Sequence, residues 1–373
     1  MAPARPREPA STSAGGRVRR AHQVLGALHP GDAVGREALT IRGLLRAAGL
    51  ESEIFAGFVD PRLGAEARPL REYAAPDGGG TACLYHFSPG SPAGRVALQA
   101  QGPLAVVYHN VTPARFFAGW SDESARLAAR AGDELRELAP HASLGLAKSA
   151  FSRRDLEAAG FAASAVLPFV HDPVRPSTRS PVFERLYADG RRHVLGVGRL
   201  APNKRLEDVL RAFALLQRGP VPRSRLLLVG DDGLRAYADA LRDLARSLRL
   251  RDVVFCGRVE EDELRSAYAL ADVLVSLSEH EGYGVPLVEA MLAGVPVVAY
   301  DAGAVAETMA GAGVLLRDKS PEIVAGVVER LLADESLRAA VLATQERVAA
   351  RVRATDFRAL VLDALAPVLE AQP

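Results

Sequence analysis

Two series of short apolar runs, each alternating with segments of helical periodicity, organise this sequence of 373 residues. Strands of a parallel sheet are buried on both faces and read as continuous apolar runs, whereas the connecting helices show apolar residues at three- and four-residue spacing. The first series predicts strands at residues 22–28, 52–56, 82–86, 104–109, 142–147 and 165–167, with helices at 37–48, 122–138 and 152–159. This alternation predicts a doubly wound parallel sheet.

The second series predicts strands at residues 193–197, 226–229, 253–255, 273–277, 297–300 and 314–316, with helices starting near 206, 234, 261, 286 and 304. Residues 321–369 are almost wholly helical in pattern. Between the two series, residues 171–181 are rich in proline, as an interdomain linker is. We therefore predict two Rossmann-like α/β domains, at 17–170 and 182–352, that face each other across a cleft. A disordered tail is predicted at 1–16, and a C-terminal helix that can cross back to the first domain at 353–373.

The composition of the chain excludes some classes of binding partner. The formal net charge is +1 and the 46 basic residues are spread along the sequence, so there is no electrostatic footprint for nucleic acid. The two cysteines, Cys83 and Cys256, form no CxxC pair, and residues 1–16 lack the apolar run of a signal peptide. No stretch reaches the roughly 18 apolar residues of a membrane span. These features predict a soluble, cytoplasmic protein with a small-molecule partner, and they leave peripheral membrane contact open.

The segment SEHEGYGVPLVEAM, residues 278–291, joins a predicted strand to a predicted helix. Gly282 and Gly284 allow a tight turn and a close approach to a ligand, and Pro286 suits the first turn of a helix. The start of that helix directs backbone N–H groups into the cleft, where the helix dipole favours an anion such as a diphosphate. We therefore predict an anion site at this edge of the second sheet.

Two acids flank the predicted anion site, Glu281 on the loop and Glu289 in the expected first turn of the helix. Carboxylates accept charge-assisted hydrogen bonds from sugar or ribose hydroxyls. Either acid alone is more simply explained as a charge that stabilises the helix start or as a solvated loop residue. Together with the glycines between them, the two acids favour a ligand that carries hydroxyl groups beside a phosphate.

A second loop, at residues 196–205, carries two cations after a predicted strand of the same domain. Arg199 offers a bidentate fork to phosphate oxygens and Lys204 a mobile ammonium, so together they would offset the charge of a diphosphate leaving group. Ordinary surface cations are the alternative interpretation. The loop also fits the dinucleotide-binding pattern G-x-G-x-x-A at Gly196, Gly198 and Ala201, but no acid stands about 20 residues later to bind a ribose.

These motifs resemble the E-x7-E signature of the retaining nucleotide-sugar glycosyltransferases of family four, with Glu281 and Glu289 as its two glutamates. The resemblance extends through residues 271–275 before the motif and 294–299 after it, and on to Glu307 and Gly313. It implies the two-domain GT-B fold. It also implies that a hexose-type sugar moves, with retention, from a UDP- or GDP-linked donor to an unidentified acceptor, such as a glycan or lipid-linked glycan.

The resemblance further implies roles for individual residues. The loop at 30–35 resembles the glycine-rich loop that approaches the donor diphosphate, although Asp32 stands in place of its second glycine. Arg258 and Val259 correspond to the strand end beside the nucleobase. The donor-binding residues predicted in this way are Gly31, Asp32, Gly198, Arg199, Lys204, Arg258, Val259, Gly282, Tyr283, Gly284, Val285 and Glu289. Glu281 and His109 are the predicted catalytic residues.

His109 follows a predicted strand and resembles the N-terminal-domain histidine that lies near the transferred sugar in this family. A histidine at a strand end is otherwise a satisfied structural residue, and the sequence leaves both interpretations open for His109 and for His86. There is no D-x-D pair and no His/Cys/Asp cluster with ligand spacing in the sequence. We therefore predict that neither a metal nor an organic cofactor takes part.

Three classes of function stay open: a glycosyltransferase, a nucleotide-sugar-binding protein without turnover, and an NAD-dependent oxidoreductase. A serine or cysteine hydrolase is disfavoured because there is no G-x-S-x-G elbow and neither cysteine lies near a histidine in a motif. The sequence defines the acceptor site less well than the donor site. Its candidates, which either line a pocket or pack in the core, are Arg115, Phe116, Phe117 and Trp120.

Overall fold

A computed structural model describes residues 18–73, 80–171 and 178–370 of the chain. The tail predicted at 1–16 lies outside these residues, as does most of the predicted linker. The described chain forms two parallel sheets with apolar cores on both faces. In one strand, for example, the neighbouring residues Val194 and Leu195 enter two different core clusters. Burial on both faces explains why the strands read as continuous apolar runs.

The first sheet is built from seven strands: β1 Arg20–Leu28, β2 Ile54–Val59, β3 Arg68–Pro69, β4 Thr81–His86, β5 Leu104–Tyr108, β6 Leu144–Ala147 and β7 Ser164–Val166. Their order is β3-β2-β1-β4-β5-β6-β7, and every neighbouring pair is parallel. The sequence pattern predicts all of these strands except β3, because a two-residue edge strand leaves no apolar run to detect.

Four helices accompany this sheet within the described residues: α1 Ala33–Ala47, α2 Pro92–Leu98, α3 Asp122–Leu138 and α4 Ala150–Ala158. Three of them lie where the pattern predicts helices, and α3 has the predicted limits. The sequence pattern does not predict α2, because its seven residues include Pro92 and Gly94, which weaken a helical signal. Each helix start is capped by a side chain that accepts a backbone N–H, namely Asp32, Ser91, Ser121 and Ser149.

The second sheet contains β8 Arg192–Val197, β9 Ser224–Val229, β10 Val253–Gly257, β11 Val273–Ser276, β12 Val297–Tyr300 and β13 Val314–Leu316. All six strands are predicted, and their order is β10-β9-β8-β11-β12-β13. The helices are α5 Pro181–Tyr187, α6 Leu206–Arg218, α7 Arg235–Ser247, α8 Glu261–Leu270, α9 Val285–Leu292, α10 Val305–Met309, α11 Pro321–Ala333, α12 Glu335–Ala354 and α13 Phe357–Leu369. Because Ser180 caps α5, this helix already begins at the last residue of the predicted linker.

In both sheets the strand order reverses beside the first strand, because β1 lies between β2 and β4, and β8 lies between β9 and β11. Connections leave such a switch point in opposite directions, and a crevice opens at the carboxyl ends of the strands. The loops after β1, β8 and β11 span residues 29–32, 198–205 and 277–284. The topology therefore directs the loops that carry most of the predicted site residues towards crevices.

The last helix, α13, returns to the first sheet. Its apolar residues Phe357, Val361 and Leu365 share a core cluster with Ile41 and Leu45 of α1. The structure thus contains the crossing back that the sequence suggests for the C-terminal helix. Among the described residues, no helix combines the length and the apolar character that crossing a bilayer requires.

Candidate active site

One cavity of about 360 Å³ lies where the loops of the two domains meet. A second cavity of about 460 Å³ adjoins it, and Arg36, Glu261 and Glu289 form part of the wall that the two share. The first cavity is lined by all fourteen residues predicted to bind the donor or to act in catalysis: Gly31, Asp32, His109, Gly198, Arg199, Lys204, Arg258, Val259, Glu281, Gly282, Tyr283, Gly284, Val285 and Glu289.

The loop before α9 turns as its glycines predict, but the helix starts earlier relative to Glu289 than expected. Gly284 has a φ of 92° and is the N-cap, so Val285 and Pro286 occupy the first turn. Glu289 is therefore the fifth residue of the helix, and its expected place in the first turn is wrong. The first turn contains no acidic residue. Pro286 has no N–H and Leu287 N donates to the Gly284 carbonyl over 3.0 Å, so the N–H of Val285 is the group that this turn can offer to an external anion.

Gly282 is held against the opposite domain. A Cβ on this residue would lie 2.3 Å from the Cβ of Asn110, so only glycine fits here. The hydroxyls of Ser149 and Ser152 donate to the Gly282 carbonyl over 2.7 and 3.0 Å. The close approach expected of this glycine is thus made to the N-terminal domain.

The two glutamates of the motif are both paired with cations. Glu281 Oε1 lies 2.6 Å from Lys204 Nζ. Glu289 Oε1 lies 2.5 Å from Arg36 Nη2, and its Oε2 accepts from the Tyr268 hydroxyl over 2.8 Å. Burial, and then Glu289, raises the pKa of Tyr268 well above its ordinary value, so this hydroxyl stays protonated and donates.

Among the cations of the cavity, Arg199 differs from the others. Arg258 contacts Asp231 at 3.2 Å, and Lys204 contacts Glu281. Arg199 is exposed on the loop after β8 and forms no ion pair with any residue that the structure describes. Its charge is therefore available to a ligand.

The loop after β1 closes against the second domain. Gly31 has a φ of 70°, and a Cβ there would lie 3.0 Å from the carbonyl oxygen of Val259. Asp32 caps α1, with its Oδ2 accepting from Gly35 N over 2.9 Å. Because this carboxylate already occupies the helix start, the backbone of the loop is better suited than the Asp32 side chain to approach an anionic ligand.

A chain of buried hydrogen bonds fixes the protonation of His109. Gln23 Nε2 donates to the Ala38 carbonyl over 2.9 Å, so Gln23 Oε1 accepts from His86 Nε2 over 2.9 Å. Burial, with a smaller effect of Lys148, lowers the pKa of His86 to about 3. The neutral His86 ring then accepts at Nδ1 from His109 Nε2 over 2.9 Å. Burial, followed by Lys148 and His86, lowers the pKa of His109 well below its ordinary value, so His109 is neutral with a bare Nδ1, which lies 3.7 Å from Glu37 Oε2.

Beside this chain lies a buried ion pair between Glu37 and Lys148. Lys148 Nζ is 2.8 Å from both carboxylate oxygens, and the two side chains are 2% and 0% exposed. Burial raises the pKa of Glu37 and lowers that of Lys148, and the attraction between the two opposes both shifts.

Glu37, His86 and His109 each bring one potential metal ligand within 4.8 Å of the others, a grouping that spacing in the sequence does not indicate. Because the Lys148 ammonium already balances Glu37, we interpret the group as a hydrogen-bonded cluster.

The neutral His86 predicts a loss of stability in acid. Its pKa is about 3 in the folded state and about 6.5 when unfolded, so the unfolded chain takes up the proton first as the pH falls. The contribution of neutral His86 to the free energy of unfolding is fully present above pH 6.5 and is lost below it. The free energy of unfolding therefore falls by about 2 kcal/mol between pH 7 and pH 5. Urea unfolding followed by the fluorescence of Trp120, the single tryptophan, measures this change.

A His86→Gln variant cannot take up that proton and is expected to show a weaker dependence on pH between 7 and 5. His141 is exposed, so His141→Gln should retain the wild-type dependence and serves as the control. The same loss of stability in His86→Gln as in the wild type would contradict the assignment of a neutral His86.

None of the four candidate acceptor residues lines the first cavity, and Arg115 and Trp120 are exposed. The Trp120 ring lies edge-on to Tyr237 of the second domain, with 5.1 Å between ring centroids. Phe116 lies 6.2 Å from the ring of His280, and Phe117 is buried. The contacts of Trp120 and Phe116 belong to the interface between the two domains. These aromatic residues therefore do not identify an acceptor site.

Four charged or polar residues of this region are absent from the sequence-based prediction: Arg36, Glu37, Lys148 and Tyr268. The sequence contains one signal that could have pointed to two of these residues. Glu37 falls on the buried stripe of α1 that also contains Ala38, Ile41 and Leu45, and a charged residue at core spacing usually has a buried partner. The identity of that partner is not visible in the sequence.

Two parallel-sheet domains with a ligand-sized cavity between their switch points define the GT-B fold. Solved structures that share it include Anabaena HepE in complex with UDP and glucose, with a TM-score of 0.68 and 22% identity, covering 92% of this chain and 98% of that one. WaaG, a glycosyltransferase involved in lipopolysaccharide biosynthesis, has a TM-score of 0.67 and 17% identity, covering 93% and 99%.

Residues 182–347 match the family model described as glycosyl transferases group 1, so the chain carries a domain of this type in its C-terminal half. The D-inositol 3-phosphate glycosyltransferase of Kineococcus radiotolerans is 38% identical over 170 residues, which cover 41% of this chain and 39% of that protein. A GDP-mannose-dependent alpha-(1-6)-phosphatidylinositol monomannoside mannosyltransferase of Mycobacterium tuberculosis is 32% identical over 201 residues, which cover 51% of each. The chain thus spans about half the length, or less, of the curated relatives it matches.

Proposed function

We propose that this protein is a retaining glycosyltransferase that moves a hexose-type sugar from a UDP- or GDP-linked donor to a glycan or lipid-linked glycan. The observation that carries the proposal is that one interdomain cavity, at the switch points of two parallel sheets, is lined by all fourteen predicted residues. Ligands of open parallel sheets bind at such points. This position and these residues support a site for a sugar nucleotide.

The charges of the cavity support a diphosphate donor without a bound metal. Arg199 has a free charge, and the start of α9 offers the backbone N–H of Val285. The acids are already paired: Glu281 with Lys204, and Glu289 with Arg36. A diphosphate would meet side-chain cations and a helix start, which can stabilise it as a leaving group. In a retaining reaction of this kind, the acceptor attacks on the face from which the nucleotide leaves, and the departing phosphate serves as base.

The relatives support the class of donor. One of them is GDP-mannose-dependent by name, and a structural neighbour was solved with UDP and glucose. The E-x7-E resemblance supports a retaining reaction. It also supports the placement of Glu281 and Glu289 on either side of the donor. In the proposed site Glu289 binds hydroxyls of the nucleotide or sugar, and Glu281 and His109 lie near the transferred sugar.

An oxidoreductase fits the loop after β8 less well. Dinucleotide-binding loops lead directly into a helix whose start holds the pyrophosphate. Here a 3-10 turn at residues 202–204 follows Gly198, and α6 begins only at Leu206, after Arg205 in the left-handed region. The start of α6 is thus displaced from the glycines.

Thermal shift with UDP, GDP, ADP and NAD tests the proposal, because a ligand that binds the folded state raises the melting temperature by mass action. We expect a shift with UDP or GDP and none with NAD. Incubation with UDP-glucose and GDP-mannose should then give sugar release or transfer, and EDTA should not change its rate. A shift with NAD alone would refute the proposal. Binding without turnover, across many acceptors, would indicate a nucleotide-sugar-binding protein.

A further inference from the structure

Arg36 joins the two domains through the wall of the candidate donor site. It lies on α1 of the first domain, and its side chain is only 16% exposed. Its Nη2 is 2.5 Å from Glu289 Oε1 on α9, and its Nη1 is 3.2 Å from Glu261 Oε2 on α8. One side chain of the N-terminal domain thus holds two acids of the C-terminal domain.

Glu289 depends on this contact for its charge balance. Glu281 and Asp231 are paired within their own domain, by Lys204 and Arg258. For Glu289, the structure describes no ion-pair partner other than Arg36. If the cleft opened and Arg36 withdrew, Glu289 would keep an uncompensated negative charge beside the proposed diphosphate site. Like charges at short range in a partly buried site repel strongly.

The contact does not exclude a ligand from Glu289. Each carboxylate oxygen can accept about two hydrogen bonds. Arg36 uses one position on Oε1, and the Tyr268 hydroxyl uses one on Oε2. Both oxygens therefore retain capacity for a ligand hydroxyl, and the two donors fix the orientation in which the carboxylate offers it.

We propose that Arg36 is a positioning residue that orients and neutralises Glu289 from the opposite domain, so that a nucleoside diphosphate binds tightly only when the cleft is closed. This inference rests on the proposed function. It differs from a purely structural role in one respect: the effect of Arg36 on binding requires the negative charge of Glu289.

A double-mutant cycle measures that requirement, with UDP and GDP as the probes in isothermal titration calorimetry. Arg36→Ala is expected to weaken binding of the nucleotide that the wild type accepts by about tenfold, because it leaves a partly buried charge unpaired. Glu289→Gln keeps a hydrogen-bond acceptor but removes the charge. In that background the same Arg36→Ala change should alter affinity by less than about twofold.

Arg62 provides the matched control, because its Nη1 pairs with Glu260 of the other domain over 2.5 Å, but at an exposed position. Arg62→Ala is expected to leave the affinity unchanged, since exposed pairs contribute little. Wild-type affinity in Arg36→Ala would overturn the inference, and so would a tenfold loss that persists in the Glu289→Gln background, because structural damage would not depend on that charge. Failure of the wild type to bind either nucleotide would instead overturn the proposed function itself, and the inference with it.

Discussion

Replacing Arg199 by alanine is expected to lower kcat/KM for sugar transfer by about 100- to 1,000-fold, the usual cost of removing one preorganised charge from a leaving-group site. Among the cavity's cations, Arg199 is the one without an ion-pair partner in the described chain, whereas Lys204 and Arg258 are each paired with an acid. Its guanidinium is therefore the group most able to respond to charge that develops on a departing diphosphate. The melting temperature should hardly change, because Arg199 is exposed.

Steady-state kinetics with the accepted donor sugar measure the effect. Arg199→Lys should recover part of the loss, because it restores the charge without the bidentate fork. Arg347 is an exposed arginine on α12 and has no ion pair in the described chain, so Arg347→Ala controls for the removal of a surface charge and should keep wild-type kinetics. If Arg199→Ala retained wild-type kcat/KM, the assignment of Arg199 to the diphosphate would be wrong.

Replacing Lys148 by methionine is expected to cost about 3–5 kcal/mol in the free energy of unfolding, because it leaves a buried carboxylate without its cation. Glu37 is fully buried, and apart from Lys148 it accepts a hydrogen bond from Val170 N over 2.7 Å. One backbone N–H does not replace the ammonium that lies 2.8 Å from both oxygens.

The double variant Lys148→Met with Glu37→Gln separates loss of charge balance from loss of packing. Glutamine keeps the acceptor for Val170 N but carries no charge, so most of the lost stability should return. Urea unfolding followed by Trp120 fluorescence compares the wild type, the single variant and the double variant. Equal stability of the single and double variants would show that packing, not the unpaired charge, sets the cost.

The sheets could be predicted from the sequence because strands buried on both faces leave uninterrupted apolar runs. The limits of β12 and β13 agree with the prediction. The ligand-binding character of the loops after β8 and β11 could also be predicted, since their glycines, prolines and charged residues lie close together in the chain. The short elements β3 and α2 could not be read, because they contain too few residues to establish a period.

The pairing of charges across the cleft could not be predicted. Arg36 and Glu289 are 253 residues apart, and Lys148 and Glu37 are 111 apart. Their contact depends on the order of the strands and on how the two domains meet, neither of which local periodicity specifies. The position of Glu289 in α9 is mispredicted for a different reason: the helix already begins at Val285, directly after Gly284 in a left-handed conformation, which is one residue before the predicted start.

The return of α13 to the first sheet also determines how this molecule can open. In the described part of the chain, the first domain ends at His171 and is re-entered at Phe357, where α13 begins. The two positions lie side by side, because the rings of His171 and Phe357 are 6.1 Å apart. A contact between the residues at which the chain leaves and re-enters the first domain favours rotation of one domain against the other over sliding. The domains should therefore separate by a swing about a single axis, which brings the same residues back together each time the cleft shuts.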